Sequence, residues 1–212
     1  MALKTISRAR VAQMESRRPD TLLIGVTGTP GVGKSYFSKR LSNRLSSAGI
    51  AARVIEINDI VDSTKAYSGV DELGSRIVKL GMLRRSMKKA VKSSAISIVV
   101  GHLLPETGLR PDICIVLRQD LGILKKRLEK RHYAKAKIRE NLLAEAYDDI
   151  GTRMAKKCGQ MYEAETGKER EYLMRYIVEV ALGKRPKRPK SRNIDKFAEL
   201  EKLILNGNRL RF

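Results

Sequence analysis

The chain is 212 residues long, enough for one α/β domain and a short appendage, since domains typically run to roughly 100–200 residues. Hydrophobic residues make up 42% and charged residues 32%, an ordinary globular composition, but 44 Lys and Arg against 23 Asp and Glu leave a formal net charge of +21. No run of about 18 apolar residues occurs, which excludes a helix that spans a bilayer, and so large a cationic excess favours polyanionic partners, nucleic acid ahead of anionic membrane and acidic proteins.

Residues 1–20 carry Lys4, Arg8, Arg10, Arg17 and Arg18 and read as a basic N-terminal extension. They hold no long apolar core followed by a small-residue cleavage site, so an intracellular, cytoplasmic location is expected. Leu22 to Thr27 is a short apolar run ending at glycine and reads as a buried parallel strand. A helix is expected from Gly33 to about Ser47, with Phe37, Leu41 and Leu45 four apart on one face. Ala52 to Ile57 is a second strand. The polar stretch after it, holding Asn58, Asp59, Asp62, Tyr67 and Asp71, is too long for a simple connection and reads as a functional insertion.

A helix with Ile77, Leu80, Leu83 and Met87 on its apolar side leads to a third strand, Ala95 to Val100, and Ile113 to Leu117 is a fourth. Asp120 is placed to cap a helix containing Lys125 to Lys130. One further helix is expected over Lys137 to Lys157, and Met161 to Glu165 is a fifth strand. Strands alternating with helices predict a three-layer α/β fold with a five-stranded parallel sheet, and ligands at the strands' carboxyl ends. Residues 21–182 form this domain, and residues 183–212 a basic linker and C-terminal helix. The linker GKRPKRPKSR, Gly183 to Arg192, has six cations and no acid; Pro186 and Pro189 block a helix there, so an extended, solvated segment is expected. In the tail Ile194, Phe197, Leu200 and Ile204 have helical spacing and should dock on the core or on a partner. Cys114 and Cys158 match no zinc spacing and, in a reducing compartment, read as two thiols.

The chemistry sits after the first strand. Gly28, Gly33, Lys34 and Ser35 fill the pattern G-x-x-x-x-G-K-[ST] in GTPGVGKS, between a predicted strand and a predicted helix, which is the context a P-loop NTPase requires. Glycines let successive backbone N–H groups point at phosphate oxygens, and the helix N-terminus adds its positive end. Lys34 should reach the β and γ phosphates of ATP, and the Ser35 hydroxyl should coordinate Mg²⁺. Charge developing on a moving phosphoryl group needs further cations; Arg118, Arg127, Arg131 and Lys137, beyond the fourth strand, are the candidates.

The loop GTPGVGKS, the stretch INDIV…AYSGVDELGSRIV, the GHLLP segment, and VLR…L..RL..RHY…KI.EN..AE together resemble the adenylate kinase isoenzyme 6 family over about residues 22–167. The resemblance implies a nucleoside monophosphate kinase acting on ATP and AMP with Mg²⁺, in a family also described as ATPases that assist small-subunit ribosome assembly. A ribosomal protein or rRNA would then meet the basic segments, and a monomer is the favoured state. It also implies that Gly31, Gly33, Lys34, Ser35 and Tyr36 form the ATP loop, that residues 57–80 with Asn58 and Asp59 bind the monophosphate, and that residues 130–140 form a lid whose Arg131 contacts ATP.

Two positions depart from that pattern. Tyr36 replaces a threonine or other small residue. At the end of the third strand the family places an acid of the Mg²⁺ shell, one residue, and a histidine; here His102 fits but Val100 stands at the acid's place. An offset alignment, with GHLLP matching a second histidine, implies a small deletion instead. Either way the carboxylate is missing, and Asp59 is the sequence's substitute. His102 itself reads either as a group orienting a water or phosphate oxygen or as a hydrogen-bonded cap on the strand.

Overall fold

The computed structural model describes residues 21–72, 74–92, 94–190 and 194–205. Its first elements are β1 (Leu22–Thr27), α1 (Lys34–Ser47), β2 (Arg53–Glu56), α2 (Ile57–Ser63), β3 (Tyr67–Val70), β4 (Arg76–Val78) and α3 (Leu80–Val91). These are followed by β5 (Ile96–Val100), β6 (Ile113–Leu117), α4 (Leu121–Lys130), α5 (Lys135–Ala146), α6 (Asp149–Met154), β7 (Gln160–Ala164), α7 (Gly167–Ala181) and α8 (Phe197–Leu205). Five strands form one sheet in the order β2-β5-β1-β6-β7, every pair parallel. The expected α/β fold is therefore present. β1 lies at the centre with β5 on one side and β6 on the other, so its carboxyl end opens at the point where the connections diverge to the two halves of the sheet.

Alternation along the strands builds a core on each face. Ile24 and Val26, with Ile98, Val100, Ile115 and Leu117, turn to the layer of α1, α4, α5, α7 and α8. Val99 and Cys114 turn to the opposite layer of α2, α3 and α6. Both faces are covered, which is why these strands read as unbroken apolar runs.

Several expectations are corrected. Ile57 opens α2 rather than closing the second strand, and the stretch expected to be irregular folds as α2 and a β3–β4 hairpin. Ile77 lies in β4, half exposed, not on the helix, whose apolar side is carried by the buried Leu83 and Met87. The single helix expected over Lys137 to Lys157 is two, broken at Asp148, whose φ of 49° is left-handed. The sequence reading missed α7 altogether. The Asp120 cap is present: its carboxylate accepts from the Ile123 N–H at 2.8 Å.

Cys114 and Cys158 are joined as a disulfide, with Cα atoms 6.0 Å apart, and are not free thiols. The fold brings them together because β6 and β7 are neighbours. Gly159 and Gln160 donate to the carbonyls of Pro111 and Asp112 at 2.9 Å each, which fixes the start of β7 beside β6 and sets Cys158 under Cys114.

The C-terminal segment docks on the core through the buried Ile194 and Leu200; Phe197, half exposed, packs edge-on against Tyr147 with ring centres 5.3 Å apart, and Ile204 is exposed. Lys196, wholly buried, pairs with Glu165 and with Glu199, and the second Glu199 oxygen accepts from the Leu121 N–H at 3.0 Å. Residues 184–190 form neither helix nor strand, and only their cations are solvated; Pro186 and Pro189 are half-buried beside Tyr172 and Leu173 of α7. The N-terminal extension, Arg192 and Asn193 lie outside the described residues.

One charged cluster is enclosed. Arg118, only 1% exposed, donates from Nε to Glu145 at 3.0 Å and from Nη1 to Glu163 at 3.1 Å, with Asp148 at 3.0 Å. Breaking a buried network by removing one partner strands the charges that remain. Arg118→Met is thus expected to cost about 3–5 kcal/mol, read by urea unfolding against the wild type; a loss under about 1 kcal/mol would mean that the cluster is solvated.

Candidate phosphate-binding site

The loop between β1 and α1 bends back on itself through three glycines with left-handed φ, Gly28 at 132°, Gly31 at 98° and Gly33 at 101°. At Gly28 a Cβ would stand 2.3 Å from the Leu117 carbonyl oxygen, so no side chain fits between the loop and β6. The turn delivers the chain into the first turn of α1, where N–H groups have no helical partner and attract anions. Lys34 folds over the loop, its Nζ donating to the Gly28 and Thr29 carbonyls at 2.9 and 3.0 Å. Burial pushes its ammonium down to about 8, against the opposing pull of the Glu56 and Glu145 carboxylates. An ammonium has three donors, so one remains for an anion.

Ser35 is exposed in that first turn, and its hydroxyl lies near enough to the Glu56 carboxyl to favour the charged form. Glu56 ends β2 directly beside Val100, the end of β5. Burial raises the Glu56 carboxyl above its usual range; Asp59 pushes the same way, and Ser35 and Lys34 oppose. Sequence reasoning passed over Glu56 because it falls inside an apolar run. Asp59 is exposed on α2, near enough to Glu56 to repel it. Tyr36 is 69% exposed, with the Arg40 guanidinium 5.7 Å from its ring centre. It packs against no part of the loop's interior.

Gly101, after β5, accepts from the Thr27 hydroxyl at 2.8 Å and donates to the Val26 carbonyl, which holds the next residue, His102, at the strand ends. His102 is half-buried, and burial, with Lys34, Lys137 and Arg153 around it, pushes it down to about 4. It is neutral at physiological pH and offers hydrogen bonds, not charge.

The helix after β6 supplies cations to the same place. Arg127 donates from Nη1 to the Gly31 carbonyl at 3.2 Å and to Gln119 at 2.9 Å, and Arg131, at the end of α4, is close enough to depress the Lys34 ammonium. Arg118, a sequence candidate for the phosphates, is instead consumed by the enclosed acidic cluster. The sequence reading also missed Arg170 of α7. Its Nη2 donates to the Arg118 carbonyl at 2.7 Å, Nη1 lies beside Gly33, and its buried Nε has no hydrogen-bond partner.

Glu145 ties this set together. One oxygen accepts from the Thr29 hydroxyl of the loop at 2.6 Å, the other from Arg118 Nε and the Gln119 N–H at 3.0 Å each. Among the described residues no group of three or more His, Cys, Asp or Glu side chains is placed to hold a metal by itself, and no helix is long and apolar enough to cross a membrane.

A family model described as an AAA domain matches residues 24–148. A protein of Methanocaldococcus jannaschii named putative adenylate kinase is 35% identical over 167 residues, covering 78% of this chain and 89% of that one. One of the same name from Archaeoglobus fulgidus is 32% identical and covers 86% of this chain and 96% of its own. Among solved structures, shikimate kinase from Acinetobacter baumannii in complex with shikimate superposes with a TM-score of 0.53 over 82% of this chain and 99% of its own. At 13% identity that likeness concerns the fold alone.

The His102 environment has a measurable consequence. Its folded-state value lies below the ordinary 6.5, so between those two values the unfolded chain binds more protons than the folded one. Stability is therefore lost as pH falls from about 6.5 towards about 4. His102→Asn should lose less stability than wild type between pH 7 and pH 4.5, read by thermal unfolding. Equal losses in the two proteins would contradict the buried, neutral imidazole.

Proposed function

Because the chain belongs to the family of archaeal proteins named putative adenylate kinase, we propose that it transfers the γ-phosphoryl group of ATP to a nucleoside monophosphate, AMP in the first place. The observation that carries this reading is the convergence of Lys34, Arg127, Arg131 and Arg170 on one glycine-rich loop at the carboxyl end of β1. In the transfer, an AMP phosphate oxygen attacks the γ-phosphorus while the bond to the bridging oxygen breaks, and both products are ADP. The protein's contribution is position and charge. Gly31 and Gly33 admit the phosphates to the backbone N–H groups, Lys34 meets the β and γ oxygens, and Arg131 meets charge that grows as the group moves.

Residues 130–140, around the α4–α5 junction, are the segment suited to close over ATP and exclude water. The acceptor side is assigned to residues 57–80, which hold α2, Asp59 and the β3–β4 hairpin. His102, neutral, is suited to hold an oxygen by a hydrogen bond. The donor set fits Mg²⁺: the Ser35 hydroxyl and a neighbouring carboxylate are hard oxygen ligands, too few to hold the ion without phosphate oxygens. When bound, Mg²⁺ neutralises charge on the β and γ phosphates.

A second reading rests on the exposed cations Lys184, Arg185, Lys187, Arg188 and Lys190, in a segment that runs beside α7. They suit a ribosomal protein or rRNA as partner, with ATP hydrolysis as the reaction. One assay separates the two: ADP formation from Mg-ATP with each nucleoside monophosphate, beside ATP alone. We expect acceptor-dependent ADP, with AMP the best acceptor, and a fall of about 10²–10³ in turnover for Lys34→Ala. Equal ADP with and without acceptor favours the ATPase reading, and undiminished transfer in Lys34→Ala overturns the assignment of the loop.

A further inference from the structure

P-loop NTPases hold Mg²⁺ with the loop Ser or Thr and an acid, yet β5, the strand beside β1, ends in Val100, fully buried among the side chains under α1. Glu145 is taken up by Thr29, Arg118 and Gln119, and the carboxylate on the Ser35 side of the loop comes from the next strand. Glu56 is paired in register with Val100, and residues paired between parallel strands project to the same face of the sheet. That face is the one α1 covers, so the Glu56 side chain leaves the strand end beneath the first turn of α1. There it meets the Ser35 hydroxyl and lies within the field of Lys34. Asp59, the substitute suggested by the sequence, sits one turn into α2 and is exposed.

We propose that Glu56 supplies the carboxylate of the nucleotide-bound Mg²⁺ site in this chain, acting with Ser35 from β2 in place of the acid absent from β5. Three features favour it over the alternative that Glu56 only balances Lys34. The carboxylate lies beside Ser35, the loop hydroxyl suited to the metal, closely enough for that hydroxyl to favour its charged form. It places a negative group beside that hydroxyl, where the divalent ion of a bound nucleotide would need one. The sheet register puts it one strand, roughly 5 Å, from the position left apolar. The inference rests on the phosphate-loop reading and not on the identity of the acceptor, so it stands whether the γ-phosphoryl group passes to AMP or to water.

The test measures ADP binding by calorimetry with Mg²⁺ and with chelator, and Mn²⁺ binding to the protein–ADP complex by electron paramagnetic resonance. For wild type, ADP should bind more tightly with Mg²⁺. In Glu56→Gln the metal-dependent gain and the Mn²⁺ affinity should fall about tenfold or more, while metal-free ADP affinity stays the same or rises, which also shows that the variant folds. Glu56→Asp should recover part of the loss, and Asp59→Asn should keep wild-type Mn²⁺ affinity. Unchanged Mn²⁺ affinity in Glu56→Gln, or a loss confined to Asp59→Asn, overturns the proposal. Absence of ADP binding in wild type under both conditions overturns the phosphate-loop reading and this inference with it.

Discussion

The Glu145 carboxylate is the contact on which the arrangement depends. It is buried, and a buried carboxylate must be met on every side by donors. The donors that meet it come from two parts of the chain: Thr29 in the phosphate loop, and Arg118 and the Gln119 N–H where β6 ends. Arg118 in turn gathers Glu163 from β7 and Asp148 from the break between α5 and α6. Satisfying one acid thus fixes the loop against β6, seats α5 over the sheet, and leaves Arg127 and Arg131 on the preceding helix facing the phosphate site. The left-handed backbone at Asp148 follows from the same demand, because a helix continuing past Tyr147 would carry that carboxylate away from Arg118.

Much of this was legible in the residues. The strands of the sheet, α1 and the Asp120 cap are written in local pattern: apolar runs, buried throughout in β5 and β6, fourfold spacing, and an acid before a helix. The loop was legible because its glycines serve a backbone shape that other residues resist. What escaped the sequence is what depends on contacts between distant segments. The disulfide joins residues 44 apart, and only the β6–β7 pairing makes them neighbours. Arg118 looked like a phosphate ligand by position, and its capture by acids from β7 and α5 has no local signature. α7 is a different case, since Thr166 and Glu169 form a reciprocal capping box that the sequence does display.

Among the described residues, two groups of cations differ in physical meaning. Lys34 and Arg170 are partly withdrawn from water around the loop, where a phosphate would meet them at reduced dielectric and where each is worth more than a surface charge, and Arg127 stands exposed at the loop's edge. The cations of residues 184–190 stand in solvent, with their prolines turned to α7, and their attraction for a polyanion would be long-ranged and screened by salt. A kinase needs the first population alone. The second is surplus to phosphoryl transfer, and it bears on what the protein meets, not on what it catalyses.

The measurement that bears most directly on the central claim follows the phosphorus atom itself. With ATP labelled in its γ-phosphoryl group and unlabelled AMP, phosphorus NMR distinguishes label in the β-position of newly formed ADP from label in inorganic phosphate. Transfer by the loop and its arginines predicts label in ADP, appearing in step with AMP consumption. Label released as inorganic phosphate at the same rate with and without AMP would contradict it.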